Sequence, residues 1–263
     1  MPLGYTLRAG EVLAYYGLER KDVAEAIFKY GRDRKIIVTD NPGVLGGGRG
    51  QAGFQSPDDI PMLAQKALEN QKDAILRRYP GFHGTLAKYY GNIRKAQKGA
   101  DLVIDIDVKQ NFREAFKSGR KVLDFLDFYN VPYRIKFSGG SGPHIVIPYE
   151  AFPESLSGDR FDRAYKLAFQ TIMSRSRAGN IDGSFASTSH FCRIPYSLNE
   201  NTGLVSLPIR REQYDDFTPS MAELWNVQVD EDWFREPDEE AKEALIEMLR
   251  DAVGRSKREF MGL

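Results

Sequence analysis

Cysteine is almost missing: Cys192 stands alone among 263 residues, which excludes an internal disulfide and a cysteine-rich zinc site, so no zinc is expected. Long apolar runs are missing too. No stretch approaches the ~18 residues a membrane-spanning helix requires, and no membrane partner is expected. The opening Met1-Pro2-Leu3-Gly4-Tyr5 lacks the basic-then-apolar pattern of a secretory signal, so the expected location is cytoplasmic. Net charge is zero, with 37 basic residues against 37 acidic ones, and nothing global demands a nucleic-acid partner. There is no internal repeat, no low-complexity tract and no obvious linker. The whole chain, 1–263, reads as one large domain.

Charge is present but unevenly placed. Residues 230–251 are strongly acidic, whereas basic residues gather in Arg77-Arg78, Arg94-Lys95 with Lys98, Arg134 with Lys136, Arg175 with Arg177, and Arg210-Arg211. Such patches either hold phosphate backbones despite the zero net charge or are solvated surface. Gly46-Gly47-Gly48-Arg49-Gly50 lacks the Gly-Lys-Ser/Thr ending of a P-loop. It reads as a surface loop from which Arg49 reaches a polyanion.

Hydrophobic spacing predicts helices over 11–16 and 20–30, the second burying Val23, Ile27 and Tyr30, then a strand over 35–39. Ser56-Pro57-Asp58-Asp59 starts a helix running to about Tyr79, with Asp59 placed as a capping-box acid. Residues 82–90 are β-prone and 91–98 form a basic connection. A helix over 112–130 buries Phe116, Leu123 and Leu126. Strands over 133–137 and 144–147 flank Ser138-Gly139-Gly140-Ser141-Gly142-Pro143, a hairpin turn whose backbone N–H groups are expected to be free for an anion. A helix over 160–174 follows. Residues 191–195 and 204–209 are expected to pair as the last two strands, and Ala241, Leu245, Met248 and Leu249 stripe a C-terminal helix.

The chemistry centres on Asp105-Ile106-Asp107, at the end of the apolar run Leu102-Val103-Ile104. A strand has a period of two, so Val103, Asp105 and Asp107 share one face and Leu102, Ile104 and Ile106 the other. Two carboxylates side by side at the end of a buried element are costly unless solvated, paired to Lys or Arg, or bound to a divalent cation. Mg²⁺ and Mn²⁺ prefer carboxylate oxygens and keep positions open for water and phosphate. Asp182 is the best downstream third acid. Three carboxylates hold two ions roughly 3.5–4 Å apart, an arrangement suited to in-line attack of a hydroxyl on an α-phosphate. His144 and Arg193 would then serve a triphosphate as donors. The alternative for His144 is a hydrogen-bonded core histidine.

Taken together, Asp105-Ile106-Asp107, Ser138-Gly139-Gly140-Ser141-Gly142-Pro143-His144 and Ile181-Asp182 resemble the three motifs of the archaeo-eukaryotic primase superfamily. His190-Phe191-Cys192-Arg193-Ile194-Pro195-Tyr196-Ser197, with Thr202-Gly203-Leu204-Val205-Ser206-Leu207-Pro208-Ile209, is similar to the segment after the third acid in primase small subunits. The resemblance covers roughly 32–210. It implies an α/β (α+β) catalytic fold: an N-terminal α/β unit (about 1–100), an RRM-like mixed sheet carrying the metals (about 101–212), the active site between them, and a C-terminal helical extension (about 213–263). It implies Asp105, Asp107 and Asp182 as ligands of two Mg²⁺ or Mn²⁺ ions. Ser138, Ser141, Gly142, His144 and Arg193 then fall where the family contacts the incoming NTP or dNTP. Gly140 and Ser141 depart from relatives with basic residues in the turn, which puts more of the phosphate grip on Arg193. Asn199 replaces a histidine of some small subunits, and the zinc knuckle is missing.

The expected activity is that of a template-dependent primase-polymerase, joining NTPs or dNTPs on single-stranded DNA with a template and primer. Its partners would include a primase large subunit or further domains of a longer protein, in a mobile-element or CRISPR-associated setting. The rivals are an end-joining repair polymerase of the same superfamily, a non-catalytic single-strand-binding module, and an Asp-x-Asp glycosyltransferase. The last gives no reason for the Ser138–His144 hairpin or the Arg193 segment.

Overall fold

Ala9–Leu13 (α1) runs into a π-helical turn over Ala14–Leu18, closed by Gly17 at φ 131°, before the helix Lys21–Gly31 (α2). Val23, Ile27 and Tyr30 lie on its buried stripe, as their spacing requires. The structure, a computed structural model, describes residues 6–39, 53–69, 78–90, 97–109 and 111–261. The glycine loop with Arg49, and Arg77, Arg94 and Lys95, lie outside the described residues.

Next come Ile36–Val38 (β1), Asp59–Glu69 (α3), Phe82–Thr85 (β2), Ala87–Tyr89 (β3), Gln97–Ala100 (β4) and Leu102–Asp105 (β5). The carboxylate of Asp59 accepts from the Gln55 and Ser56 amides, as a capping acid should. The segment expected to be a basic connection is in part a strand: β4 pairs with β3, with a register shift at Lys88/Tyr89. The chain continues through Phe112–Tyr129 (α4), Arg134–Phe137 (β6), Pro143–Ile147 (β7), Asp159–Arg175 (α5), Phe191–Arg193 (β8), Pro208–Ile209 (β9) and Glu239–Met261 (α6). Asn111 caps α4 by accepting from the Glu114 amide, and Asn130 closes it in the left-handed region.

Among the described residues three sheets form: β1-β2-β8, β3-β4 and β5-β7-β6-β9. The four-stranded sheet is antiparallel throughout rather than mixed, because β7, the hairpin partner of β6, lies between β5 and β6. Segments 191–195 and 204–209 do not pair as two strands. β8 joins β2 in the N-terminal sheet and β9 joins β6 in the other. Between them only an irregular hairpin forms, with the bridge Leu198–Val205 and the bonds Tyr196 N to Ser206 O and Asn199 N to Leu204 O. Alternation alone could not show that the two flanks belong to different sheets.

One apolar core joins these layers, from Val12 and Ile27 through Phe82, Ile104 and Ile145 to Leu245 and Met248. Within it lies a buried ion pair, Arg34 with Asp101 at 2.6 Å. No helix among the described residues is long and apolar enough to cross a membrane.

Candidate active site

Asp105 ends β5, and its register partner on β7 is His144. The pairing brings His144 Nε2 to 3.2 Å from Asp105 Oδ1. Ile106 forms an antiparallel bridge with Ile181, the Asp182 amide donates to the Asp105 carbonyl at 2.9 Å, and the Asp107 amide donates to the Asn180 carbonyl at 3.3 Å. Asn180 adopts φ 60°, a left-handed turn that asparagine tolerates. The three acids therefore sit on two adjoining backbone segments.

The glycine turn packs against the same end of β5. Gly139 takes φ 78°, and a Cβ on Gly142 would lie 1.9 Å from the Ile106 carbonyl oxygen, so only glycine permits this approach. The Gly140 and Gly142 amides are not left free: both donate to Ser138 Oγ, at 3.1 and 3.4 Å. The serine hydroxyl thus fills the concavity expected for an anion, because a β-turn this short folds its own side chain over its amides. Ser141 Oγ donates to Asp107.

Each carboxylate faces a different donor. Asp105 accepts from His144, Asp107 from Ser141, and Asp182 Oδ1 accepts from the Ser184 amide at 2.8 Å. Among the described residues no three His, Cys, Asp or Glu side chains are gathered around one point. In kind, the donor set fits a hard divalent cation: three carboxylates, two of them exposed. To hold one, Asp107 and Asp182 would turn away from Ser141 and Ser184.

Behind His144 lies Lys136, fully buried, whose Nζ stands 2.8 Å from His144 Nδ1 and donates to Ser206 Oγ at 3.0 Å. With Lys136 as the donor in that contact, Nδ1 accepts and Nε2 carries the proton toward Asp105. Burial pushes the Lys136 ammonium down from its ordinary pKa. Cys192, brought by β8, sets its sulfur 3.3 Å from the same Nδ1. Burial alone would raise the Asp105 pKa, but His144, Lys136 and Arg193 more than offset it and hold the carboxyl below its ordinary range. The sequence reading placed Lys136 in a surface patch. Its pairing opposite His144 follows only once the turn fixes the β6–β7 register.

Arg193, also on β8, reaches across from the N-terminal sheet. Its Nη1 donates to the Ser138 carbonyl at 2.6 Å and its Nη2 to Glu200, while its Nε is buried without a partner among the described residues. Glu200 lies 3.8 Å from His83, and its carboxyl is held far below the ordinary range: burial raises it, and His83 and Arg193 outweigh burial. Phe82-His83-Gly84-Thr85 is also similar to the primase group, but nothing in the spacing connects His83 or Glu200 to Arg193. Asn199 serves the loop itself, its side chain accepting from the Asn201 and Thr202 amides.

No family model matches the sequence, and no curated protein matches it. A solved structure does match in shape: the polymerase domain from Mycobacterium tuberculosis Ligase D in complex with DNA, 18% identical, with a TM-score of 0.54 over 93% of this chain and 89% of that one. At that identity the likeness is one of fold, and the chain is a mixed α/β protein with the fold of a polymerase domain.

Proposed function

We propose that the chain is a template-dependent nucleotidyltransferase of the archaeo-eukaryotic primase type, joining NTPs or dNTPs on single-stranded DNA. The observation that carries this is the Ile106–Ile181 bridge, which sets Asp105, Asp107 and Asp182 at one end of β5 beside the glycine turn. The polymerase-domain fold supports it. Asp105, Asp107 and Asp182 would hold Mg²⁺ or Mn²⁺, which supplies charge neutralisation at the phosphoryl group and activates the attacking hydroxyl.

The chain's own groups would do the rest. With Lys136 donating to Nδ1, His144 would keep its proton on Nε2 and orient Asp105 as a donor. Arg193 donates to the turn itself, and the nucleotide's phosphates would draw its donors from the Ser138 carbonyl and Glu200 and satisfy the orphaned Nε. Ser138, Ser141 and Gly142 would line the same phosphate position, with Ser138 Oγ rotating away to expose the turn amides.

The test is incorporation of labelled NTPs or dNTPs on a single-stranded template with Mg²⁺ or Mn²⁺, with and without primer. Template-directed incorporation is the expected result; its absence under every combination overturns the reading. Arg193→Ala should raise the nucleotide KM, with Arg193→Lys restoring part of it, because an ammonium cannot reproduce the paired donors. A second reading, a repair polymerase of the same superfamily, is favoured by the polymerase domain belonging to Ligase D. Gap filling stimulated by a downstream 5′-phosphate separates the two.

A further inference from the structure

The basic clusters that stand out in the sequence are largely neutralised within the fold. Arg210 pairs with Asp230, Arg211 with Asp124 and Asp127, and Arg175 with Asp251. Arg134 lies over the Trp233 ring and donates to the Arg235 carbonyl, and Lys136 is buried. A different set is left uncompensated. Arg113, Lys117 and Lys121 recur every four residues on the exposed face of α4, and among the described residues none pairs with a carboxylate. Lys121 donates only to the Arg177 carbonyl, at 3.1 Å, which brings the exposed Arg177 to the end of the row.

Three features give this row a direction and a ligand class. It starts at the site: a Cβ on Gly142 would lie 3.1 Å from Ala115 Cβ, so the first turn of α4 packs on the glycine turn. At 1.5 Å per residue, Arg113 to Lys121 spans about 12 Å away from it. Arg113 also stands in the first turn of a helix, where the backbone dipole disfavours cations. Its charge works against helix stability and adds to the dipole's attraction for an anion. Finally, the row borders a groove of about 730 Å³ whose wall includes the half-buried Phe112, set over the buried rings of Phe116, Tyr214 and Phe217. The acids nearby are fewer: Asp215 is taken by Arg120, leaving Glu114 and Asp216 against the four cations.

We infer that this face of α4 carries the phosphate backbone of a single-stranded nucleic acid running up to the Asp105 site, with the groove beside it open to sugars and bases. A cationic track that follows the backbone, with the accessible ring of Phe112 beside it, is the combination that single-strand binders use. The inference rests on the polymerase reading and adds the path of the strand.

Binding of a fluorescein-labelled oligothymidylate, followed by anisotropy across a salt series, tests it. Each phosphate contact with a single strand contributes about −0.7 to the slope of log K on log salt. The variant Arg113→Gln/Lys117→Gln/Lys121→Gln should therefore flatten the slope by about 2, and each single substitution by about 0.7. The singles keep the test usable if the triple variant folds poorly. Arg210→Gln/Arg211→Gln, whose partners are internal, should leave the slope unchanged. If wild-type protein incorporates nucleotides and the ridge variants keep the full slope, the strand runs elsewhere and this inference fails alone. If wild-type protein neither binds the oligonucleotide nor incorporates nucleotides, the inference and the polymerase reading fail together.

Discussion

Asp101 precedes β5 and Asp105 ends it, so one short strand carries a buried or half-buried carboxylate at each end. Asp101 is completely buried and saturated by its own chain. Oδ2 accepts from Arg34 at 2.6 Å and Tyr30 at 3.1 Å, and Oδ1 accepts from the Tyr149 amide at 2.9 Å. Arg34 is satisfied as well, donating to the Tyr30, Thr85 and Leu86 carbonyls. Asp105 has a single donor, His144, and its side chain is 18% exposed. Its nearest lysine stands one imidazole away. A carboxylate whose lone pairs are all used by the fold has nothing left for a ligand. A carboxylate with one oriented donor and an open side is stable enough to stay ionised and still short of partners.

Four expected outcomes sharpen or break this contrast. Asp105→Ala should abolish incorporation on a primed template, a loss of at least ~10³-fold, while leaving the urea midpoint close to wild type. Near-normal extension at saturating Mn²⁺ would remove Asp105 from the catalytic set. Asp101→Asn should do the reverse, costing about 3–5 kcal/mol in urea denaturation because Arg34 stays buried without its counter-charge. Wild-type-like stability of that variant would show the pair to be dispensable.

The same pair sets an acid limb. Burial would raise the Asp101 pKa, but Arg34, helped by Lys88 and Arg134, lowers it to about 2. The ionised carboxylate therefore stabilises the fold above its unfolded pKa of about 4, and that contribution is lost as pH falls from there towards 2. Urea midpoints measured from pH 5 downward should fall more steeply in wild-type protein than in Asp101→Asn. The smallest effect is expected from Lys136→Met, which frees His144 to change tautomer. Lys136 acts through His144, one step removed from the ligand Asp105, so incorporation should fall by less than the about 10- to 100-fold that losing a ligand's own orienting partner costs. The ¹⁵N shifts of His144 should report loss of the single tautomer, and an unchanged imidazole spectrum would refute the orienting role.

Much of the fold was legible in sequence because it depends on short-range rules. The β5 run, the glycine-turned hairpin, the α4 and α5 stripes and the capping acid Asp59 all appear near their expected places. Each is set by periodicity or turn chemistry acting over a few residues. Backbone pairing at Ile106–Ile181 brings the segments of the three acids side by side, with their carboxylates on separate donors, whereas the turn amides expected to be free are held by Ser138.

What sequence by itself determined, then, was most of the helices, the β5 run and the β6–β7 hairpin. Only the tertiary structure decided which sheet each late strand joins, that Lys136 lies buried behind His144, that Glu200 engages Arg193, and which cations remain free. The physical reason is that pairing partners and burial are set by contacts between residues far apart in the chain, as with Arg211 and Asp127 or Lys136 and Ser206. A charge is written in the sequence; whether a carboxylate from another segment cancels it is settled only when the chain has folded.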